Sequence, residues 1–286
     1  MNNIAIILNN RAKNAKLIDN YLAAFNKEKI DYHCYQVAPE NLETQIKNCL
    51  TDYSLLLVGG GDGTIRSAAQ WCANSSTTLG VLPLGTMNHF AKELHLPLTE
   101  DDLVAALKQP KFIKIDLAEV NGKVFVNNSS IGFYPKLARK RDFYAKHYPK
   151  WLSYIPSFLE ALRYHEKFSI TIKNEEENFS INTSFLMVSN NLYSYQFPVT
   201  IGRDSFNQKV LGIYFLKRGK LSLIKVIDHL FRKSNNFEIR ASKTPINVDI
   251  KKKARINISL DGDTTIMDTP LIYRCLPNSL KLLTLK

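Results

Sequence analysis

Two short stretches combine glycines, hydroxyls and one acid at spacings that suit a phosphate-bearing ligand. The first is GGGDGT, residues 59–64, which follows the apolar run LLLV and opens a helix-like pattern. Glycines there let backbone N–H groups approach an anion, and a helix N-terminus adds positive potential. The hydroxyl of Thr64 can cap the helix or meet a phosphate. Neither common nucleotide template fits. No lysine follows the glycines, and Thr64 stands where a GxGxxG fingerprint needs its third glycine. The carboxylate of Asp62 repels a bare phosphate, so two readings of it stand side by side. Either a divalent cation, Mg²⁺ for preference, lies between carboxylate and phosphate, or Asp62 caps the helix that follows.

The second stretch, VLPLGTMNHFAKELHLP at 81–97, repeats the arrangement of apolar run, tight turn and helix start. Thr86 and Asn88 are short polar residues able to reach a ligand at strand C-terminal ends, where open α/β sheets bind their ligands. Two such loops on successive strands point to one crevice.

The elements that must position these loops alternate along the first part of the chain. Strands are expected at 3–8, 31–36, 54–58 and 79–82, and helices at 12–27, 41–50, 64–73, 88–94 and 101–108. This order implies βαβ units and a mostly parallel sheet covered on both faces. From residue 112 the pattern changes to strands, at 114–120, 123–127, 169–173, 182–189, 211–217, 255–260 and 271–274, with Asn121-Gly122-Lys123 as a hairpin turn. The expected fold is therefore α/β plus β, a Rossmann-like domain at 1–120 followed by an antiparallel β-sandwich domain at 121–286. Helical spacing interrupts the second half at 136–167 and 222–231. No internal repeat and no low-complexity linker occurs.

Composition narrows the class. A hydrophobic fraction of 45% suits a globular chain with a sizeable core. No apolar run reaches the roughly 18 residues of a membrane-crossing helix, and the first residues read as a strand rather than a signal peptide. Four cysteines without a CxxC pair read as reduced structural thiols of a cytosolic protein rather than a zinc site. The net charge of +12 favours anionic partners. The segment 136–168 interleaves Tyr144, Tyr148, Trp151 and Tyr154 with Arg139, Lys140, Arg141, Lys146 and Lys150. It reads either as a helix packed on the sandwich or as a surface for an anionic bilayer. No nucleic-acid-binding motif accompanies these patches, and no nucleic-acid partner is expected. Exposed sandwich edges are consistent with a homodimer.

Taken together, GGGDGT, PLGTMNHFAKEL and the late ISLDGD (258–263) resemble the diacylglycerol kinase catalytic family, which includes sphingosine kinases and bacterial lipid kinases. FVNNSSIGFYP at 125–135 is similar to the start of that family's second domain. The resemblance implies ATP and Mg²⁺ as cofactors, an active site in the cleft between the two domains, and transfer of the γ-phosphate to a lipid hydroxyl at a membrane surface. The protein it implies is cytoplasmic and peripherally membrane-associated. By matching position, Gly60, Gly61, Asp62, Gly63 and Thr64 would hold the nucleotide phosphates, with Thr86 and Asn88 nearby. Asp62 would belong to the metal–phosphate arrangement. Asp263 falls where the family has the glutamate of Asp-Gly-Glu and would serve as general base.

Several positions depart from the family. His89 replaces an aspartate, Gln208-Lys209 replaces an acidic Asp-Gly turn that holds a structural metal in some members, and Asp263 is one methylene shorter than glutamate. The family's opening Asn-Pro-x-Ser-Gly has become Asn9-Asn10-Arg11-Ala12-Lys13, a polar loop in which Lys13 or Lys16 is the candidate for phosphate contact. These departures leave two rivals to a lipid kinase: a non-catalytic nucleotide- or lipid-binding regulator, and a kinase of a soluble acceptor.

Overall fold

The computed structural model describes residues 3–86, 88–132, 167–196, 200–216 and 237–285. The helical stretches expected at 136–167 and 222–231, and with them the basic aromatic segment, fall outside these residues except at the last two positions of that segment. The chain divides into two compact units, Met1–Leu117 with Leu276–Lys286, and Ala118–Cys275.

The first unit is built from β1 (Ile4–Asn9), α1 (Ile18–Lys27), β2 (His33–Val37), α2 (Leu42–Cys49), β3 (Leu55–Gly60), α3 (Asp62–Cys72), β4 (Thr78–Pro83), α4 (His89–Glu93) and α5 (Glu100–Lys108). The strands lie parallel in the order β2-β1-β3-β4. β1, β3 and β4 are buried along nearly their whole length, as parallel strands covered on both faces must be. Helix α1 turns Ile18, Tyr21 and Phe25 inward, onto a core with Ile6, Leu8, Leu57 and Leu82. Each fully buried aliphatic side chain contributes about 1.5–3 kcal/mol to this packing. Helix α5 starts on a reciprocal capping box between Thr99 and Asp102. The order reverses direction between β1 and β3, the kind of switch point at which open α/β sheets bind ligands.

β5 (Lys111–Val120) carries the chain into the second unit, and β18 (Leu271–Thr284) carries it back. Between them come β6 (Lys123–Phe125), β7 (Asn128–Gly132), β8 (Phe168–Lys173), β9 (Asn178–Thr183), β10 (Phe185–Asn190), β11 (Ser194–Gln196), β12 (Thr200–Gly202), β13 (Leu211–Leu216), β14 (Phe237–Ser242), β15 (Ile246–Ile250), β16 (Arg255–Leu260) and β17 (Asp263–Asp268). One sheet of this unit runs β18-β15-β8-β9, with β5 and β6 beside β18. The other is a six-stranded sheet in the order β14-β13-β10-β7-β16-β17. Ile170, Val248 and Tyr273 of the first sheet share one core with Ile131, Val188, Ile213 and Ile258 of the second. The fold is the α/β domain plus antiparallel β-sandwich that the strand and helix order implied.

Three differences from the sequence reading have physical causes. The strand expected at 182–189 is two strands, β9 and β10, which belong to different sheets; Thr183 Oγ1 brackets the break by bonding both the N–H and the carbonyl of Phe185. The strand expected at 271–274 runs on to Thr284, so residues 276–286 lie in the first unit rather than the second. There Leu282 pairs with Leu79 of β4, the N–H of Asn278 bonds Asp116, and the N–H of Asn74 bonds the carbonyl of Ser279. Helix α3 begins at Asp62 rather than Thr64, because Gly59 and Gly60 complete β3. The hairpin at Asn121-Gly122 forms as expected, with φ of 47° and 77°.

All four cysteines are free. Cys34 is exposed on β2, whereas burial pushes the Cys72 thiol up to about 12. In native protein iodoacetamide should therefore modify Cys34 well before Cys49 or Cys72, with Cys72 reacting only on unfolding; peptide mass spectrometry reads the order. No helix among the described residues is long and apolar enough to cross a membrane.

Candidate functional site

Three loops of the first unit meet at the C-terminal ends of β1, β3 and β4, held by backbone contact and by four side chains. Gly61 and Gly85 lie so close that a Cβ on Gly85 would stand 2.5 Å from the Gly61 Cα and 2.7 Å from Asn88 Oδ1. A Cβ on Gly60 would stand 2.5 Å from Thr64 Oγ1. At Gly60 and Gly85 glycine is required by proximity alone.

The carboxylate of Asp62 accepts the N–H of His89 at 3.3 Å and of Phe90 at 3.1 Å. It therefore caps α4, the helix of the other loop, and makes no cap bond to its own helix. This ties the glycine loop to the PLGT loop. It also places one negative charge at the N-termini of two helices, where the backbone field favours it. The capping role foreseen for Asp62 exists, with a different helix as recipient.

Asn88 adopts a left-handed conformation, φ 51°, and turns its amide back on the loop. Its Oδ1 accepts the N–H of Gly85 at 2.9 Å, and its Nδ2 donates to the carbonyl of Pro83 at 2.8 Å. The side chain expected to reach a ligand thus braces the turn that presents Thr86, which is exposed. Thr64 is buried at the start of α3 and accepts Asn9 Nδ2 at 3.0 Å, so its own O–H remains a donor. Gly63 lies in the first turn of α3, where no side chain caps the leading N–H groups.

Asn9 and Asn14 were not foreseen as organising residues. Asn9 accepts the N–H of Arg11 while bonding Thr64, and Asn14 donates Nδ2 to the carbonyl of Gly85 at 2.9 Å. The polar loop 9–14 is thereby stitched to both other loops. An asparagine closing a buried strand was the available signal; the partner of Asn9 lies 55 residues away and that of Asn14 lies 71.

Among the described residues no group of three or more His, Cys, Asp or Glu is placed to hold a metal unaided. Mg²⁺ carried on nucleotide phosphates needs only one or two carboxylates, its other ligands being phosphate and water oxygens. Asp62 fits that smaller requirement. Each of its oxygens receives one amide, and a carboxylate offers about four acceptor positions. At the other expected departure, Gln208 Oε1 accepts the N–H of Leu192 at 3.0 Å and Lys209 takes φ 60°, a turn organised by hydrogen bonding.

In the second unit the DGD stretch forms a two-residue hairpin between β16 and β17, with φ of 49° at Asp261 and 96° at Gly262. Asp263 opens β17 and is exposed. Two residues earlier, another carboxylate anchors backbone amides. Asp261 accepts the N–H groups of Val126 (2.9 Å), Asn127 (2.8 Å) and Asn128 (3.1 Å). Arg203, only 7% exposed, grips the same segment through the carbonyl of Val126 at 2.8 Å and Asn127 Oδ1 at 2.6 Å. Asn190 Nδ2 adds a third bond, to the Val126 carbonyl. Asp261 and Arg203 therefore fix the segment that leads into β7, a role the sequence reading did not assign.

The fold is thus an α/β domain with two glycine loops knotted at its strand ends, followed by an antiparallel β-sandwich domain. Residues 3–120 match the model of the diacylglycerol kinase catalytic domain. A protein of Staphylococcus carnosus named "Putative lipid kinase" is 28% identical over 247 residues, 84% of this chain and 79% of that one. A "Probable lipid kinase YegS-like" of Pseudomonas aeruginosa is 44% identical over 87 residues, 30% of this chain and 28% of that one. A solved structure described as a putative diacylglycerol kinase from Bacillus anthracis superposes with a TM-score of 0.75 over 99% of this chain and 97% of its own, at 20% identity, and so shares the fold.

Proposed function

We propose that the protein is an ATP-dependent lipid kinase that transfers the γ-phosphate to a hydroxyl of a lipid such as diacylglycerol, at an anionic membrane surface. The observation that carries this reading is the knot of Gly61, Gly85 and Asp62. It holds the start of α3, whose leading N–H groups no side chain caps, beside the turn that carries Thr86, an arrangement that suits phosphate recognition. Mg²⁺, when bound, would neutralise charge on the β- and γ-phosphates, with Asp62 as its protein carboxylate.

The chain's own residues then have separate tasks. The α3 amides, Thr64 and Thr86 orient the phosphates. Asn9, Asn14 and Asn88 hold the three loops in shape. Asp263 accepts the proton of the lipid hydroxyl as its oxygen bonds the γ-phosphorus and the bond to the bridging oxygen breaks, releasing ADP. The net charge of +12 supports work at an anionic surface.

Release of ADP from MgATP, followed with dioleoylglycerol in mixed micelles and separately with NAD or a hexose, tests the reading. Stimulation by the lipid alone is expected. Stimulation by NAD or the sugar would assign a soluble acceptor, and binding of ATP without turnover on any acceptor would assign a regulator.

A further inference from the structure

The surplus positive charge of the chain is gathered in one unit. Met1–Leu117 with Leu276–Lys286 holds thirteen lysines and arginines against twelve acids, whereas Ala118–Cys275 holds twenty-five against fourteen. Strand register shows where in the second unit that surplus lies. Gly132 pairs with Phe185, Leu186 with Phe215 and Leu216 with Phe237, so β7 and β13 end, and β10 and β14 begin, at one pole of the six-stranded sheet. Phe168 pairs with Thr183 and Ile170 with Ile250, so β8 begins, and β9 and β15 end, at the same pole. The Asp261–Gly262 turn closes the opposite pole, about 17 Å away along the six residues of β16.

Lys167, Lys251, Lys252, Lys253 and Arg255 stand exposed at the first pole. Lys123 joins them through the hairpin whose Asn121 donates Nδ2 to the carbonyls of Asp268 and Pro270. The backbone beneath these lysines is bonded in place, the N–H of Lys251 to the carbonyl of Ser169 and the N–H of Thr269 to that of Ala254. Asp268 lies among them and pairs with Arg255 at 2.7 Å. The opposite pole is acid-rich, for the turn Glu175–Glu177 lies there with Asp204, Asp261 and Asp263. The chain that leaves the first pole at Gly132 and Leu216 and returns to it at Lys167 and Phe237 adds thirteen lysines and arginines against four acids in its sequence, 133–166 and 217–236.

An anionic bilayer matches this chemistry. Its surface potential attracts clustered lysines. The tyrosines and tryptophan of 133–166 are residue types suited to the headgroup level, and LSLIKVIDHLF at 221–231 carries apolar residues that a nucleic acid would not engage. We propose that the pole bearing Lys167 and Lys251–Lys253 docks the protein on anionic phospholipid headgroups that are not its substrate, on a surface separate from the acid-rich pole that holds Asp263. The inference takes its partner from the lipid-kinase reading and adds where on the chain that partner binds.

Cosedimentation with vesicles of equimolar phosphatidylcholine and phosphatidylglycerol, beside vesicles of phosphatidylcholine alone, tests this with neither nucleotide nor acceptor present. Wild type should bind the anionic vesicles only, and more weakly as salt is raised. Lys167→Gln/Lys251→Gln/Lys252→Gln should bind them about 100-fold more weakly. Lys27→Gln/Lys29→Gln/Lys111→Gln, which removes the same charge from the first unit, should bind as wild type does. Both variants should melt with the wild type, since all six side chains are exposed. Four results would overturn the proposal. The first two are no preference of wild type for anionic vesicles and undiminished binding by the Lys167 variant. Equal loss in the two variants would leave only net charge, and tighter binding of a DNA duplex than of the vesicles at equal salt would assign a nucleic-acid partner. Turnover of water-soluble dibutyrylglycerol without vesicles should be the same in the Lys167 variant as in wild type. No turnover by wild type would end the kinase reading and leave the vesicle result standing.

Discussion

Gly61→Ala is expected to leave the free protein as stable as wild type and to lower its affinity for MgATP by about 100-fold, whereas Gly85→Ala should lower both. The two glycines face each other, yet they differ in what a methyl group would meet. At Gly61 the backbone is extended, φ −89° and ψ −178°, and the new Cβ would find its nearest atom at 3.6 Å, an ordinary contact. Nothing in the protein resists alanine there. A phosphate seated on the α3 amides does, because the methyl group occupies the approach to the backbone. At Gly85 the methyl group would strike the Gly61 backbone at 2.5 Å, so the loops must part. Overpacking of this kind costs about 1–3 kcal/mol, and the amides it displaces can no longer converge. Thermal melts with and without MgATP separate the two cases. Normal nucleotide stabilisation of the Gly61→Ala protein would show that the phosphates lie elsewhere.

Asp261→Ala should produce the largest stability loss of the substitutions considered, and Asp263→Asn almost none, although both should stop turnover. Removing the Asp261 carboxylate strips three backbone N–H groups of their acceptor in one step. With water partly replacing those bonds, the cost is about 2–4 kcal/mol, and a chain of this size loses roughly 2–4 °C per kcal/mol. Asp261→Asn should fall between. It keeps Oδ1 for Asn127 and Asn128 but sets an amide donor against the N–H of Val126. Asp263 is exposed at the strand start, where substitutions usually change stability by less than about 0.5 kcal/mol. Its loss should therefore appear in kcat alone. Equal melting of the Asp261→Ala and wild-type proteins would remove the positioning role from Asp261.

The contrast between these two acids marks where the sequence was legible. Local pattern placed the strands of the first unit within a few residues, since buried parallel strands such as Leu55–Gly60 read as continuous apolar runs. Asn121-Gly122 and Asp261-Gly262 carry their turn chemistry in two adjacent residues. Partners distant in sequence were not readable. The carboxylate of Asp62 looks like a cap for its own helix, and only the fold brings the amides of His89 and Phe90, 27 and 28 residues on, within reach. Asn88 looked free to meet a ligand until the left-handed turn folded its amide back onto Gly85. Strand pairing hid the rest. The alternation of β15 and the threonine-rich β17 went unread as strands, and β18 passes through Pro277 and a left-handed Asn278, residues that resemble a stop. That Lys167 and Lys251–Lys253 share one pole depends on the pairing of Ile170 with Ile250, which no local pattern records.

Transfer of phosphate to a lipid is read directly by following the γ-label of ATP into the organic phase. Wild-type and Asp263→Ala proteins would be incubated with γ-labelled MgATP and a whole lipid extract in mixed micelles, and the organic phase resolved. The expected result is a labelled lipid made by the wild type and absent with the variant, whose mass identifies the phosphorylated acceptor. No labelled lipid from a wild-type protein that still binds MgATP would contradict it.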